Sequence, residues 1–384
     1  MKSLKKFTAA VLSALVSFSA VNALPERADS YKSGFSYKVV SYKDAILTEI
    51  KPSKQRRLSD PIEGRYNIIE VADNASQAEA VPEYYDRGDV ASFWLMAGGL
   101  MCSPLFMFSG FLFDNPNNVP KVGKFKGNKY VYSGITSVDL PYCKRVGKNA
   151  FLNCQKIKTV NLPQCTVLEE GSLTCCNGVT KLNVPECLVL NNPFGIDTKY
   201  EIWYDAQKSL RELNAQKCTK IEDRCFGGFT NLRKANIPNV TTVGKESFAL
   251  CRSLSDVSLD SCTDIKDAAF KRCISLKNIY LPSCKRVGFK AFEDCRNIIN
   301  FVAPKVTVIG ANAFANTSGN SQALWIWANK LEEVYIPSCT YIGANAFKDC
   351  KKLKRITVSR DCKFADNSLP FERVSSNKLE IVRA

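Results

Sequence analysis

The chain has 384 residues, a length that suits two domains or an elongated repeat array better than one ordinary compact domain, and 45% of its residues are apolar. Its formal net charge is +16, and it has no histidine, which excludes catalytic sites with an imidazole base and zinc sites with histidine ligands. The positive charge falls on residues 121–384 and favours anionic partners. The alternative is that the lysines only make a repeat array soluble.

Residues 1–23 have the features of a secretory signal peptide. Three lysines precede an uncharged, mostly apolar run, and Val21 and Ala23 stand at the −3 and −1 positions of a cleavage site. We therefore predict export, with cleavage after Ala23. The alternative is an uncleaved membrane anchor, for which the apolar run is short.

Residues 24–90 form a polar N-terminal region whose fold the sequence does not reveal. Residues 66–71 are typical of a strand, and residues 73–82 are typical of a linker.

The next segment, residues 91–134, begins with an apolar stretch. Residues 91–113 contain no charged residue and are long enough to span a bilayer, and lysines follow them as they follow a stop-transfer segment. Alternatively, Pro104 and several small residues dilute the apolar character, and the stretch caps the open end of a repeat array. Both readings remain open, and the residues up to 134 lead into the repeats.

One pattern recurs from Val138 onward: V-x-L-P-x-C-x-x-V-G-x-x-A-F-x-x-C-x-x-L-x-x. The later copies start at Val160, Leu182, Leu213, Ala235, Val257, Ile279, Phe301, Val334 and Ile356. Seven of the nine spacings are 22 residues, and the two longer ones contain insertions near residues 191–208 and 315–329.

Each copy predicts one coil of a repeat solenoid. In V-x-L the first and third side chains point inward and the middle one points outward, and the following proline ends the strand. The V-G pair turns the chain, and A-F fills the interior from the other side. Because one coil cannot bury both faces alone, the coils stack, with one parallel strand per repeat on one face.

The elements L-x-x-V-x-L-P and G-x-x-A-F-x-x-C-x-x-L resemble the BspA-like leucine-rich repeat of bacterial surface proteins. The resemblance covers about residues 135–370 and leaves residues 371–384 as a C-terminal tail. It implies a right-handed leucine-rich-repeat coil, a secreted or cell-surface location, and attachment to host or neighbouring surfaces. It transfers no site residue, because the family has no common binding set. Ser172-Leu173 and Cys225-Phe226 depart from the A-F element.

Most of the seventeen cysteines occupy two positions of the repeat. Val240 and Val306 take the first of these positions, so cysteine there behaves as a small apolar core residue. Cysteines of adjacent coils lie within disulfide range by distance, but their parallel side-chain directions make the geometry poor. We predict mostly reduced, buried thiols and leave open whether some form disulfides.

The function predicted from these features is binding. The sequence contains no phosphate-binding glycine loop and no C-x-x-C pair, so we predict no enzyme activity, no cofactor and no metal site. The leading hypothesis is adhesion to, or recognition of, an extracellular protein or an anionic glycan, with no specific nucleic acid and possible membrane association through residues 91–113. The alternatives are a structural envelope scaffold without a dedicated ligand and an undetected activity in residues 24–120.

The outward residue of each V-x-L strand marks the predicted contact surface. This column is rich in asparagine in its first half and contains Tyr280 and Tyr335 in its second half. Trp325 and Trp327 lie in the insertion between the strands that carry Val302 and Tyr335. Because tyrosine and tryptophan are favoured at interfaces, we predict that these four aromatic residues mark the preferred contact region. The alternative is that the tryptophans fold back and only pack on the coil.

Overall fold

The computed structural model describes twelve segments of the chain: residues 28–30, 35–40, 44–50, 57–59, 67–76, 79–85, 124–131, 134–195, 209–316, 329–365, 370–374 and 379–384. The predicted signal peptide and residues 91–113 lie outside them. Within these segments there is no helix, and hence none that is long and apolar enough to cross a membrane. The chain divides into two compact units, residues 1–77 with 133–384, and residues 78–132.

The larger unit is a solenoid whose coils each contribute a strand to one face, as predicted. These strands form two parallel sheets. The first sheet contains β4 (Arg57–Ser59), β8 (Ser137–Asp139), β10 (Thr159–Asn161), β12 (Lys181–Asn183), β14 (Glu212–Asn214), β16 (Lys234–Asn236) and β18 (Asp256–Ser258). The second contains β20 (Asn278–Tyr280), β22 (Asn300–Val302), β24 (Glu333–Ile336), β26 (Arg355–Val358) and β28 (Glu380–Arg383).

Each coil also has a short second strand, which the sequence did not predict. Eight of these form a parallel sheet on another face: β13 (Val189–Leu190), β15 (Lys220–Ile221), β17 (Thr242–Val243), β19 (Asp264–Ile265), β21 (Arg286–Val287), β23 (Val308–Ile309), β25 (Tyr341–Ile342) and β27 (Lys363–Phe364). A six-stranded sheet precedes it, with β1 (Ala28–Ser30), β2 (Phe35–Val39), β3 (Asp44–Ile50), β5 (Asn67–Val71), β9 (Arg145–Val146) and β11 (Val167–Leu168).

Strand pairing keeps equivalent residues of successive coils side by side. Val160 pairs with Leu182, and Leu182 pairs with Leu213, although 31 residues separate the latter pair. The insertion near residues 191–208 therefore leaves the coil register unchanged. Along β12, Lys181 is exposed, Leu182 is buried and Asn183 is half-buried, which is the predicted alternation.

A column of phenylalanines fills the interior. Seven rings from successive coils are stacked face to face, with centroids 5.3–5.6 Å apart and planes within 15° of each other: Phe226, Phe248, Phe270, Phe292, Phe314, Phe347 and Phe371. The position departs from phenylalanine at Leu173, which is also fully buried.

The cysteine columns lie in the same interior, and fifteen of the sixteen described cysteines are buried. In the first column each thiol donates to a backbone carbonyl of its own coil, as Cys165 does to Val167 at 3.2 Å. In the second column five thiols donate to a phenylalanine carbonyl of the previous coil, as Cys176 does to Phe151 at 2.9 Å. The thiols are therefore hydrogen-bond donors as well as apolar filling, and burial raises the pKa of the Cys165 thiol to about 12.

The solenoid extends beyond the predicted repeats at its N-terminal side. Strand β4 pairs with β8 and strand β5 pairs with β9, both in parallel. Asp73 accepts a hydrogen bond from the Lys148 backbone at 2.9 Å, so residues that were predicted to begin a linker form the turn of a coil. The predicted strand at residues 66–71 is confirmed by β5.

The smaller unit, residues 78–132, follows that coil in the sequence. Its described part is a two-stranded antiparallel sheet of β6 (Glu79–Tyr85) and β7 (Lys124–Val131). At the other end of the solenoid, β28 pairs with β26 in parallel, so regular pairing continues past residue 370.

Candidate binding surface

The outward face of the long strands presents two columns of side chains. In the three-residue strands the middle residue points into the core, and the residues on either side point outward, about 6.6 Å apart along the strand. The first column includes Thr159, Lys181 and Glu212, and the second includes Asn161, Asn183 and Asn214. The backbone of the middle residues lies between the two columns.

This face is divided where the hydrogen-bonded sheet ends. The seven-stranded sheet ends at β18, and the next long strand, β20, belongs to the five-stranded sheet. We call the face of β8 to β18 the amide half and the face of β20 to β28 the tyrosine half.

In the amide half, the second column is a continuous ladder of hydrogen bonds. Each asparagine Nδ2 donates to the Oδ1 of the residue one coil earlier. The distances are 2.8, 2.6, 2.6 and 2.7 Å for the bonds Asn161 to Asp139, Asn183 to Asn161, Asn214 to Asn183, and Asn236 to Asn214. The predicted asparagine ladder is thus a set of contacts between coils.

The first column of the amide half alternates in charge. Lys181 Nζ lies 3.2 Å from Glu212 Oε2, and Lys234 Nζ lies 3.3 Å from Asp256 Oδ2. All four side chains are more than half exposed, so each pair contributes at most about 1 kcal/mol to stability.

A groove of about 440 Å³ runs between these two columns. Its walls include Thr159, Lys181, Glu212 and Lys234 on one side and the amides of Asn161 to Asn236 on the other. Its floor is the backbone of Val160, Leu182 and Leu213.

Three exposed cations precede, in the sequence, residues that line this groove: Lys158, Arg211 and Arg233, each immediately before a long strand. They were not predicted as site residues. The signal was a basic residue recurring at one position of the repeat, but its place beside the groove depends on how the coils stack.

The tyrosine half differs in its second column. Tyr280 is 62% exposed and Tyr335 is 47% exposed, and Val302 lies between them because it pairs with both. Ile299, on the residue before β22, adds further exposed apolar surface. Two of the four predicted contact residues are therefore brought onto one stripe, while Trp325 and Trp327 lie outside the described residues.

Metal ligands and thiols were the remaining groups of interest among the described residues. No cluster of three or more cysteine and carboxylate side chains that could hold a metal ion occurs in the part of the chain that the structure describes. Burial raises the pKa of the thiols, as for Cys218 and Cys284, each to about 12, which keeps them protonated at neutral pH.

Comparison with known proteins agrees with this geometry. The family model described as BspA type leucine rich repeat region matches in six copies, over residues 124–193, 201–321 and 323–382. A leucine-rich repeat protein from Bacteroides ovatus is similar in structure, with 16% identity, a TM-score of 0.51, and coverage of 86% of this chain and 71% of that one. Because the identity is low, this similarity shows the fold alone.

Two further solved structures are similar to a smaller degree. A leucine rich cell surface protein from Faecalibacterium prausnitzii has 17% identity, a TM-score of 0.35 and coverage of 94% of both chains. The pneumococcal vaccine antigen PcpA has 13% identity, a TM-score of 0.32, and coverage of 92% of this chain and 98% of that one. No curated protein matches the chain.

Proposed function

The chain belongs to the BspA-type leucine-rich repeat family, and from that premise we propose that it is an exported, cell-surface protein that binds a macromolecular partner in adhesion or recognition. The features of a signal peptide in residues 1–23 support export. The outward face of the solenoid is the proposed contact surface.

The observation that carries this proposal is a stripe of two exposed tyrosines, Tyr280 and Tyr335, with the half-buried Val302 between them. A tyrosine buries a large apolar area and offers a hydroxyl at low cost in conformational entropy, so it is favoured where proteins meet. Nothing in the coil requires tyrosine there, because the same outward position is Asp, Asn, Ser, Val or Thr in other coils.

The test uses the purified mature chain on an array of extracellular-matrix proteins and glycans. We expect the Tyr280→Ala/Tyr335→Ala variant to lose binding to its partner by about tenfold or more, which corresponds to about 1.4 kcal/mol or more. The matched control is Tyr142→Ala/Tyr341→Ala, since these tyrosines are 45% and 43% exposed but lie outside the stripe. Equal binding by both variants and the native chain would contradict the proposal.

Trp325 and Trp327 remain part of the proposed contact region and are tested apart. A Trp325→Ala/Trp327→Ala variant that loses binding at an unchanged melting temperature supports a role in contact. Lost stability with intact binding indicates that these side chains only pack.

The second candidate function is a structural envelope scaffold without a dedicated ligand. The amide ladder favours it, because its outward side chains bond to one another between coils. An array on which the native chain binds nothing would support this second function over the first.

A further inference from the structure

We propose that the groove of the amide half binds a linear anionic polysaccharide, laid along the solenoid axis across the long strands. This second site goes beyond the tyrosine half and does not depend on a partner there. Three features of the groove carry the inference: its direction and repeat, its unused hydrogen-bonding positions, and the charge around it.

The direction of the groove excludes a peptide bound by strand addition. Because the groove crosses the strands, a peptide in it meets no sheet edge to pair with. Its hydrogen-bonding groups recur once per coil, at about 4.8 Å. A polysaccharide carries hydroxyl groups on every unit, so it can meet amides that recur on successive coils.

The amide wall keeps hydrogen-bonding positions for a ligand. An asparagine side chain has two N–H donors and two acceptor positions on its oxygen. At Asn161, Asn183 and Asn214 the ladder uses one donor and one acceptor position of each. The remaining donor and acceptor recur on successive coils, which matches the repeated hydroxyl groups of a polysaccharide.

The charge around the groove favours an anion. On the four coils that build the groove, Lys158, Lys181, Arg211, Arg233 and Lys234 stand against a single carboxylate of the outward columns, that of Glu212. Lys181 is paired with Glu212, and Lys234 with Asp256 on the next coil. Arg211 and Arg233 are exposed and directly precede Glu212 and Lys234, which line the groove, and guanidinium binds carboxylate and sulfate oxygens in a bidentate manner.

The experiment measures binding of the full mature chain to polygalacturonate. Three probes accompany it: the carboxyl-reduced, neutral polymer; poly-L-glutamate, which is anionic with a peptide repeat; and single-stranded DNA. We expect polygalacturonate to bind at least about tenfold more tightly than each of the three. Binding should weaken with salt, because exposed charges are screened.

Variants then locate the site. Arg211→Glu/Arg233→Glu should weaken polygalacturonate binding by about tenfold or more, because it reverses two charges beside the groove. The matched control is Arg252→Glu/Arg286→Glu, which makes the same charge change at exposed arginines elsewhere on the solenoid and should change binding by less than about threefold. Thr159→Phe, which narrows the groove at an exposed position, should also weaken binding while the melting temperature stays native.

The outcomes separate the alternatives. Equal binding of poly-L-glutamate or DNA would show a general basic surface and overturn the proposal, as would native affinity in the Arg211→Glu/Arg233→Glu variant. No binding to polygalacturonate also overturns it. The Tyr280→Ala/Tyr335→Ala variant should bind polygalacturonate like the native chain, so failure of one site does not imply failure of the other.

Discussion

The amide half and the tyrosine half are built on the same coil and use their outward positions in opposite ways. In the amide half, asparagines bond to one another from coil to coil. In the tyrosine half, the same position holds Tyr280 and Tyr335, which are exposed to solvent. The backbone and the core are alike in both halves. An outward residue of a solenoid can therefore contribute to stacking or be left for a partner, and the choice is made by the side chain alone.

The largest expected effect concerns the buried cysteine thiols, which lie beneath both halves. Burial raises the pKa of Cys165 and Cys218 beneath the amide half, and of Cys284 and Cys339 beneath the tyrosine half, each to about 12. The ordinary value of 9.0 applies once the chain unfolds. Below pH 9 these thiols are protonated in both the folded and the unfolded chain, so their contribution to stability is fully present. Between pH 9 and about 12 only the unfolded chain loses the proton, so the free energy of unfolding falls by about 1.4 kcal/mol per pH unit for each such thiol.

The measurement is the free energy of unfolding from denaturant titrations across this pH range, under reducing conditions. The variants Cys165→Val/Cys218→Val and Cys284→Val/Cys339→Val should each flatten the pH slope by a similar amount, since valine already occupies this column at Val240 and Val306. A slope that does not change in either variant would mean that these thiols ionise equally in both states.

The next effect concerns the core beneath the tyrosine half. Phe292 stacks on Phe270 and Phe314 at 5.4 and 5.3 Å, so Phe292→Ala should lower the free energy of unfolding by about 3–5 kcal/mol. Phe289→Ala is the control, because Phe289 is 44% exposed and three residues away, and its effect should stay within about 0.5 kcal/mol. A small loss for Phe292→Ala would contradict the view that this half is stabilised by its stacked interior.

A direct test compares the two outward columns. Asn183→Ala removes one bond to Asn161 and one from Asn214, both 2.6 Å, and should cost about 1–2 kcal/mol of stability. Tyr280→Thr, which keeps a residue favoured in strands, should change stability by no more than about 0.5 kcal/mol. The measurement is thermal unfolding of both variants. An equal loss of stability in both would contradict the view that the outward residues stabilise the amide half but not the tyrosine half.

The smallest effect lies in the coil at the boundary between the halves. Ala268 has a φ of 53°, in the left-handed region where a Cβ atom is disfavoured. Ala268→Gly should therefore stabilise the chain by about 0.5 kcal/mol, after allowing for the greater freedom of glycine in the unfolded state. The same change at the neighbouring buried residue, Ala269→Gly, should destabilise it by about 1 kcal/mol. Destabilisation in both would mean that the turn at Ala268 carries no strain.

Much of the solenoid could be predicted because the sequence pattern that specifies each coil is short and is repeated along the chain. The V-x-L spacing places Leu182 inside and Asn183 outside whatever the neighbouring coils contain, and the 22-residue period sets the register. The cysteine columns were predicted to be buried because valine replaces cysteine at two of their positions. The two exposed tyrosines followed from the same alternation.

The tertiary structure alone decided the features that depend on distant residues. The coil formed by β4 and β5 lacks the full motif, and residues 78–132 separate it from the next coil, so its period is lost in the sequence. The second strand of each coil, the end of the first sheet at β18 and the groove all depend on hydrogen bonds and side-chain spacing between coils that are 22 or more residues apart. The periodicity of the sequence determines whether a side chain points inward or outward, and the stacking of the coils determines which residues it contacts.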